Sequence, residues 1–206
     1  MSVMVRRQSA AVVVVLALLA GFFLGFETGN LVFSPGPGQG SAGAVTGAAM
    51  PGQGQTPPPG MKDQVKNLED QAAANPKDPQ AWVALGNMYF DLDNPAKAVE
   101  AYQKGLTIKP DQPDVWTDMG VMQRALKKYP EALASFDKAV ALNPRHEIAR
   151  LNQGVVYLYD LGQPEQAAKV WKELLVVNPE AVLPGGKRVA DVVVEIEATD
   201  KSLKPK

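Results

Sequence analysis

Every 34 residues this chain repeats itself. Trp82, Leu85, Gly86 and Tyr89, followed by Ala98, Tyr102 and Pro110, return as Trp116, Met119 and Gly120, then Ala132, Phe136, Ala139 and Pro144. A third copy keeps Gln153, Gly154 and Tyr157, then Ala167, Trp171 and Pro179, with one additional residue between its halves. A fixed period of this length means one supersecondary unit stacked on copies of itself. Trp82, Leu85, Gly86 and Tyr89 stand at i, i+3, i+4 and i+7, a single stripe of a helix. Ala98, Tyr102 and Gly105 form a second such stripe, so the unit is a helical hairpin. Asp78-Pro79 and Asn94-Pro95 read as an N-cap followed by proline at the first helical position. Pro110, Pro144 and Pro179 stop the second helices, because proline cannot continue the hydrogen-bond ladder. Gly86, Gly120 and Gly154 lie inside predicted helices, where glycine costs about 1 kcal/mol against alanine. Their expected role is to admit the partner helix at Ala98, Ala132 and Ala167. Trp82, Trp116, Tyr102, Phe136 and Trp171 are expected to fill the space between hairpins.

The period and these residue types resemble the tetratricopeptide repeat (TPR), over residues 79 to 180. The resemblance implies an all-α, right-handed superhelix of three hairpins at 79–112, 113–146 and 147–180, and a protein-binding task. Residues 61–78 read as an N-terminal capping helix, since Val65, Leu68, Ala72 and Asn75-Pro76 match the second half of a repeat. Over 181–206, Leu183-Pro184-Gly185-Gly186 breaks the chain. Val189, Val192, Val193 and Ile196 then recur at helical spacing and predict a C-terminal capping helix. The run Val192-Val193-Val194 also suits a strand.

In proteins with such repeats, first-helix residues pointing away from the second helix form an inner, concave wall. The first copy would contribute Val83, Asn87 and Phe90, beside Gln80 and Asp91. The second would contribute Thr117, Val121 and Arg124, beside Asp114 and Ala125. The third would contribute Leu151, Asn152, Val155, Leu158 and Tyr159, beside Ile148. A clamp for a terminal carboxylate needs Lys, Arg and Asn at repeated inner positions. Asn87 alone fits, while Val121 and Val155 occupy the equivalent places. The wall is therefore expected to grow more apolar toward the third copy and to take an amphipathic or extended apolar client segment. A competing expectation is that the C-terminal helix or a second protomer covers that dry face, leaving the first two copies as the usable groove.

The N-terminal 33 residues bear on location. Arg6 and Arg7 precede Gln8 to Phe26, an uncharged run close to the ~20 residues a helix needs to span a bilayer. It exceeds the apolar core of a signal peptide, and no Ala-x-Ala site follows it. The expectation is an uncleaved anchor, with a cleaved signal peptide as the alternative. The next basic residue after Arg7 is Lys62, so the charge bias keeps the N-terminus cytoplasmic. In a bacterium that puts a single-pass protein in the inner membrane, with its repeats in the periplasm. Residues 34–60 contain 14 Gly or Pro and no charge, a composition that cannot bury enough apolar surface to fold and reads as a linker.

Charge is nearly balanced, with 21 basic and 22 acidic residues, which gives no reason to expect nucleic acid as a partner. Without cysteine, thiolate metal sites and disulfides are excluded. His146, the only histidine, is expected to be a solvated turn residue. No nucleophile pattern accompanies it, so neither an enzyme, a cofactor nor a metal is expected. Asp91, Asp93 and Asn94 are spaced like calcium ligands but lack the rest of such a loop. The architecture resembles bacterial TPR proteins anchored by one N-terminal helix, among them those presenting apocytochrome c for haem ligation. A structural subunit of a pilus, secretion or outer-membrane assembly complex is the alternative.

Overall fold

The computed structural model describes residues 60–203. The membrane span expected within residues 1–33, and the linker over 34–60 except its last residue, lie outside the described residues. Among the described residues no helix is long and apolar enough to cross a membrane.

Eight α-helices follow one another among the described residues. Helix α1 (Met61–Ala74) leads into three hairpins: α2 (Pro79–Asp91) with α3 (Pro95–Ile108), α4 (Pro113–Ala125) with α5 (Tyr129–Leu142), and α6 (Glu147–Val155) with α7 (Pro164–Val177). Helix α8 (Val189–Leu203) closes the stack. It is a helix, so the strand alternative for Val192–Val194 is not realised. Helix α1 stops short of Asp78 because Asn75 and Pro76 leave the helical conformation.

The caps explain the helix starts. The Asp78 carboxylate accepts from the Gln80 N–H at 2.9 Å, and Asn94 Oδ1 accepts from the Lys97 N–H at 3.3 Å. Proline occupies the first turn of α2, α3, α4, α5 and α7, where its missing N–H is not needed.

Each helical glycine of the repeat stripe is a contact point for an aromatic ring of the same hairpin. A Cβ on Gly86 would lie 2.5 Å from the Tyr102 ring, and one on Gly120 would lie 2.5 Å from Phe136. Gly154 meets Trp171 still more closely. The close approach is as expected, but the partners are Tyr102, Phe136 and Trp171 instead of the small residues Ala98, Ala132 and Ala167. Those three rings are almost completely buried, and their packing also reaches past their own hairpins: Phe136 shares a cluster with Ala149 and Val156, and Trp171 shares one with Val189 and Val192. Burial of each stabilises the fold by roughly 2–3 kcal/mol.

The additional residue of the third copy has a local solution. In the first two copies the Leu92 and Leu126 N–H groups reach four residues back, to Met88 and Met122. The equivalent Leu161 reaches five back, to Val156, at 3.0 Å. Residues Val156–Asp160 thus form one π-helical turn, which absorbs the insertion without breaking the helix. The chain then rejoins the common pattern, with Asp93 (φ 50°), Lys127 (φ 59°) and Gly162 (φ 63°) in the left-handed conformation.

Beyond α7, Val182 and Arg188 form an antiparallel bridge around Gly185 and Gly186. These glycines adopt φ of 97° and 84°, values that suit a residue without Cβ. The turn swings α8 back onto α7. Val189, Val192, Val193 and Ile196 join one buried cluster with Val155, Leu158, Trp171 and Leu174.

Candidate functional site

The first helices of successive hairpins touch one another, α2 against α4 and α4 against α6. The stack therefore curves toward its first helices, and these line its inner wall. Side chains expected on that wall divide into three kinds.

Some are buried. Val155 and Leu158 are 8% and 2% exposed, packed in the cluster that α8 completes. Thr117 is 3% exposed, its hydroxyl donating to the Pro113 carbonyl at 2.9 Å. None of the three offers surface to a client, which corrects the expectation of an apolar groove deepening into the third repeat. For Val155 and Leu158 the cause is the cluster they share with the C-terminal helix; Thr117 is covered beside His146, 3.5 Å from its Nε2. Leu151 packs against the same cluster, and its carbonyl accepts the Trp171 indole N–H at 3.1 Å. Tyr159 keeps one exposed edge, 39% of its surface.

Others are tied up in polar contacts. Arg124 forms a two-point pair with Asp160, Nε to Oδ2 at 2.5 Å and Nη2 to Oδ1 at 3.3 Å. Asn152 donates to the Ile148 carbonyl at 2.9 Å. Asn87 accepts from the Tyr102 hydroxyl at 2.9 Å, yet its side chain remains at the surface.

The rest form an open strip on the first two repeats. Val83 packs onto Gly105 of α3 and so does not face away from the second helix as expected, whereas Phe90 and Val121 are half-buried against the core. Beside them stands a feature that no sequence motif announces. Half-buried Asp118 has its pKa pushed up to about 6, first by burial and then by the carboxylates of Asp114 and Asp91. Burial likewise raises the pKa of Tyr102, the phenol at the base of this wall, helped by Asp118 and Asp91. Asp114 contacts His146, but among the described residues neither Asp91 nor Asp118 has a cationic partner. The wall of the first two repeats is thus anionic as well as partly apolar, the opposite polarity from a clamp for carboxylates.

His146 is not a solvated turn residue. It is 7% exposed, and its Nδ1 accepts from the Ala149 N–H at 3.2 Å, capping α6. That assigns the proton to Nε2, which donates to Asp114 Oδ1 at 2.9 Å. The tight turn through Asn143, closed by the His146 N–H at 2.9 Å, drives the ring into the cleft between α4 and α6. Among the described residues no group of three His, Asp or Glu could hold a metal ion.

A curved stack of helical hairpins, with first helices inside and capping helices at both ends, defines a repeat scaffold of the protein-binding kind. The chain is a tetratricopeptide repeat protein. Residues 79–112 and 113–146 match one tetratricopeptide repeat model, and 149–181 match a second. Among solved structures it is similar to a MamA protein, with 17% identity and a TM-score of 0.61 over 68% of this chain and 74% of that one. It is also similar to pilF of Pseudomonas aeruginosa, with 22% identity and a TM-score of 0.56 over 69% and 62%. The first TPR of Spaghetti, bound to an HSP90 peptide, aligns at 24% identity and a TM-score of 0.50 over 61% and 93%. At these identities the likeness is one of fold. Comparison with curated protein sequences gave no match.

Proposed function

We propose that this chain is a non-enzymatic scaffold, tethered to a bacterial inner membrane by residues 8–26. Its repeats face the periplasm and hold a client segment along the inner wall of the first two repeats. The observation that carries this reading is the contrast along the wall. In the third repeat Val155 and Leu158 are taken into the cluster with α8, while the first two leave Asn87, Phe90 and Val121 accessible beside Asp91, Asp114 and Asp118. A carboxylate held half-buried among like charges costs stability, and such perturbed groups concentrate at functional sites. A segment with an apolar side chain for Phe90 and Val121 and a basic one for the acids would relieve that cost. The layout of anchor, linker and repeats suits an assembly factor for exported proteins, as in cytochrome c maturation.

The test is photo-cross-linking in native membranes from Asn87 and Val121, with Val155 and the outer-face residue Glu100 as controls. A discrete adduct from the first pair and none from the controls supports the reading and delivers the client. Adducts from Glu100 at fixed stoichiometry would favour a structural subunit of an envelope complex instead.

A further inference from the structure

Each junction in the stack uses the same four positions of a first helix, and their character changes along the chain. The first repeat carries Ala81, Trp82, Leu85 and Met88 at these positions, the first three in one cluster with Val65, Leu68 and Ala72 of α1. Against the first repeat the second presents Val115, Trp116, Met119 and Met122. Against the second, the third presents Ala149, Arg150, Gln153 and Val156. A tryptophan has become arginine and a long aliphatic side chain has become glutamine, and both remain buried at 9% and 6% exposure.

The exchange makes the third junction polar where the others are apolar, with His146 Nε2 donating to Asp114 across it at 2.9 Å. Trp82 and Trp116 send their indole N–H groups to the Pro76 and Pro110 carbonyls at 3.0 and 2.8 Å. Arg150 makes no equivalent bond. Its Nε and Nη1 are buried without a hydrogen-bond partner, and its Nε forms a long ion pair, 3.8 Å, with Glu173 of its own hairpin and not across the junction. Gln153 is satisfied by Asp137 at 2.6 Å, but it brings no apolar contact area. A buried cation with unmet donors is unfavourable. In a stack whose stability is a sum of units and interfaces, the poorest interface yields first. The buried apolar clusters separate in this region too. One joins α1 to α4, another joins α6 to α8, and the small cluster between them crosses to the third repeat through Ala149 and Val156.

On the inner wall the same junction is bridged by the two-point Arg124–Asp160 pair, whose side chains are 29% and 16% exposed. Asp160 ends the π-helical turn made by the additional residue. Fork-to-carboxylate geometry of this kind is directional and stronger than an ordinary surface ion pair.

We propose that the junction between the second and third repeats is a hinge, latched on the inner wall by Arg124 and Asp160. Opening it swings the third repeat and α8 as one body and changes the curvature of the wall. The proposal stands independently of what the wall binds.

The test is double electron–electron resonance on the full chain, which has no cysteine of its own, so label pairs can be introduced without background. Exposed positions 66 and 134 span the first two junctions, and exposed positions 100 and 169 span the second and third. The second pair is expected to give a distance distribution about twice as wide as the first. Arg124→Ala should widen it further, while Arg150→Trp with Gln153→Leu should narrow it to the control width. Equal widths in the unsubstituted chain overturn the hinge. A width unmoved by Arg124→Ala, or by the seam-filling pair, overturns it as well. Should the seam-filling chain not fold, Arg124→Ala alone decides.

Discussion

Replacing Asp118 by asparagine should make this protein more stable at neutral pH and less able to bind. Folding raises the Asp118 pKa from 3.8 to about 6, so the folded state holds the proton more tightly than the unfolded state. Stability from this group is complete below the unfolded pKa and is lost as pH rises through the folded one. Every tenfold gain in proton affinity is worth about 1.4 kcal/mol, which sets a ceiling of about 3 kcal/mol at pH 7.5. Solvent on the groove side screens part of it, leaving an expected gain of about 1–2 kcal/mol for Asp118→Asn. For a domain of this size that is a rise in Tm of about 2–8 °C. Below pH 4 the acid is already protonated, and the variant should match the unsubstituted protein. Thermal unfolding followed by circular dichroism at pH 7.5 and 3.5 gives the comparison. An equal change at both values, or destabilisation at pH 7.5, would refute the electrostatic reasoning.

Gly120→Ala places a Cβ 2.5 Å from the Phe136 ring, and the forced shift should outweigh the helix-propensity gain and cost about 1–3 kcal/mol in urea unfolding. Trp171→Ala empties a fully buried site in the third hairpin and should cost about 3–5 kcal/mol, read as lost protection of 147–199 in hydrogen exchange. Val192→Asp puts a charge at a position 1% exposed and should undock α8, uncovering Val155 and Leu158 and raising dye binding to exposed apolar surface.

The repeat was legible because its signals are local. Trp82, Gly86 and Tyr102 obey a helical period that needs no tertiary information, and the proline positions mark where helices start and end. The additional residue of the third copy was visible in the spacing, although its outcome as a π-helical turn carrying Asp160 to Arg124 was not. The site was harder to read. Asp118 owes its environment partly to Asp91 of the preceding hairpin, a proximity created by stacking. Helical periodicity alone makes the inner wall most apolar at Val155 and Leu158, where the apolar character instead belongs to the interface with α8. His146 looked like a turn residue because its sequence neighbours Arg145 and Glu147 are charged and exposed, while its ring points the other way.

The central claim is that the open, anionic wall of the first two repeats receives the client. Its most direct test is the yield of the client adduct from a photo-cross-linker at Val121, with and without Asp118→Asn. The account predicts a strong fall in yield in the variant even though that variant is the more stable protein. An unchanged adduct, or one obtained equally well from Val155, would contradict it.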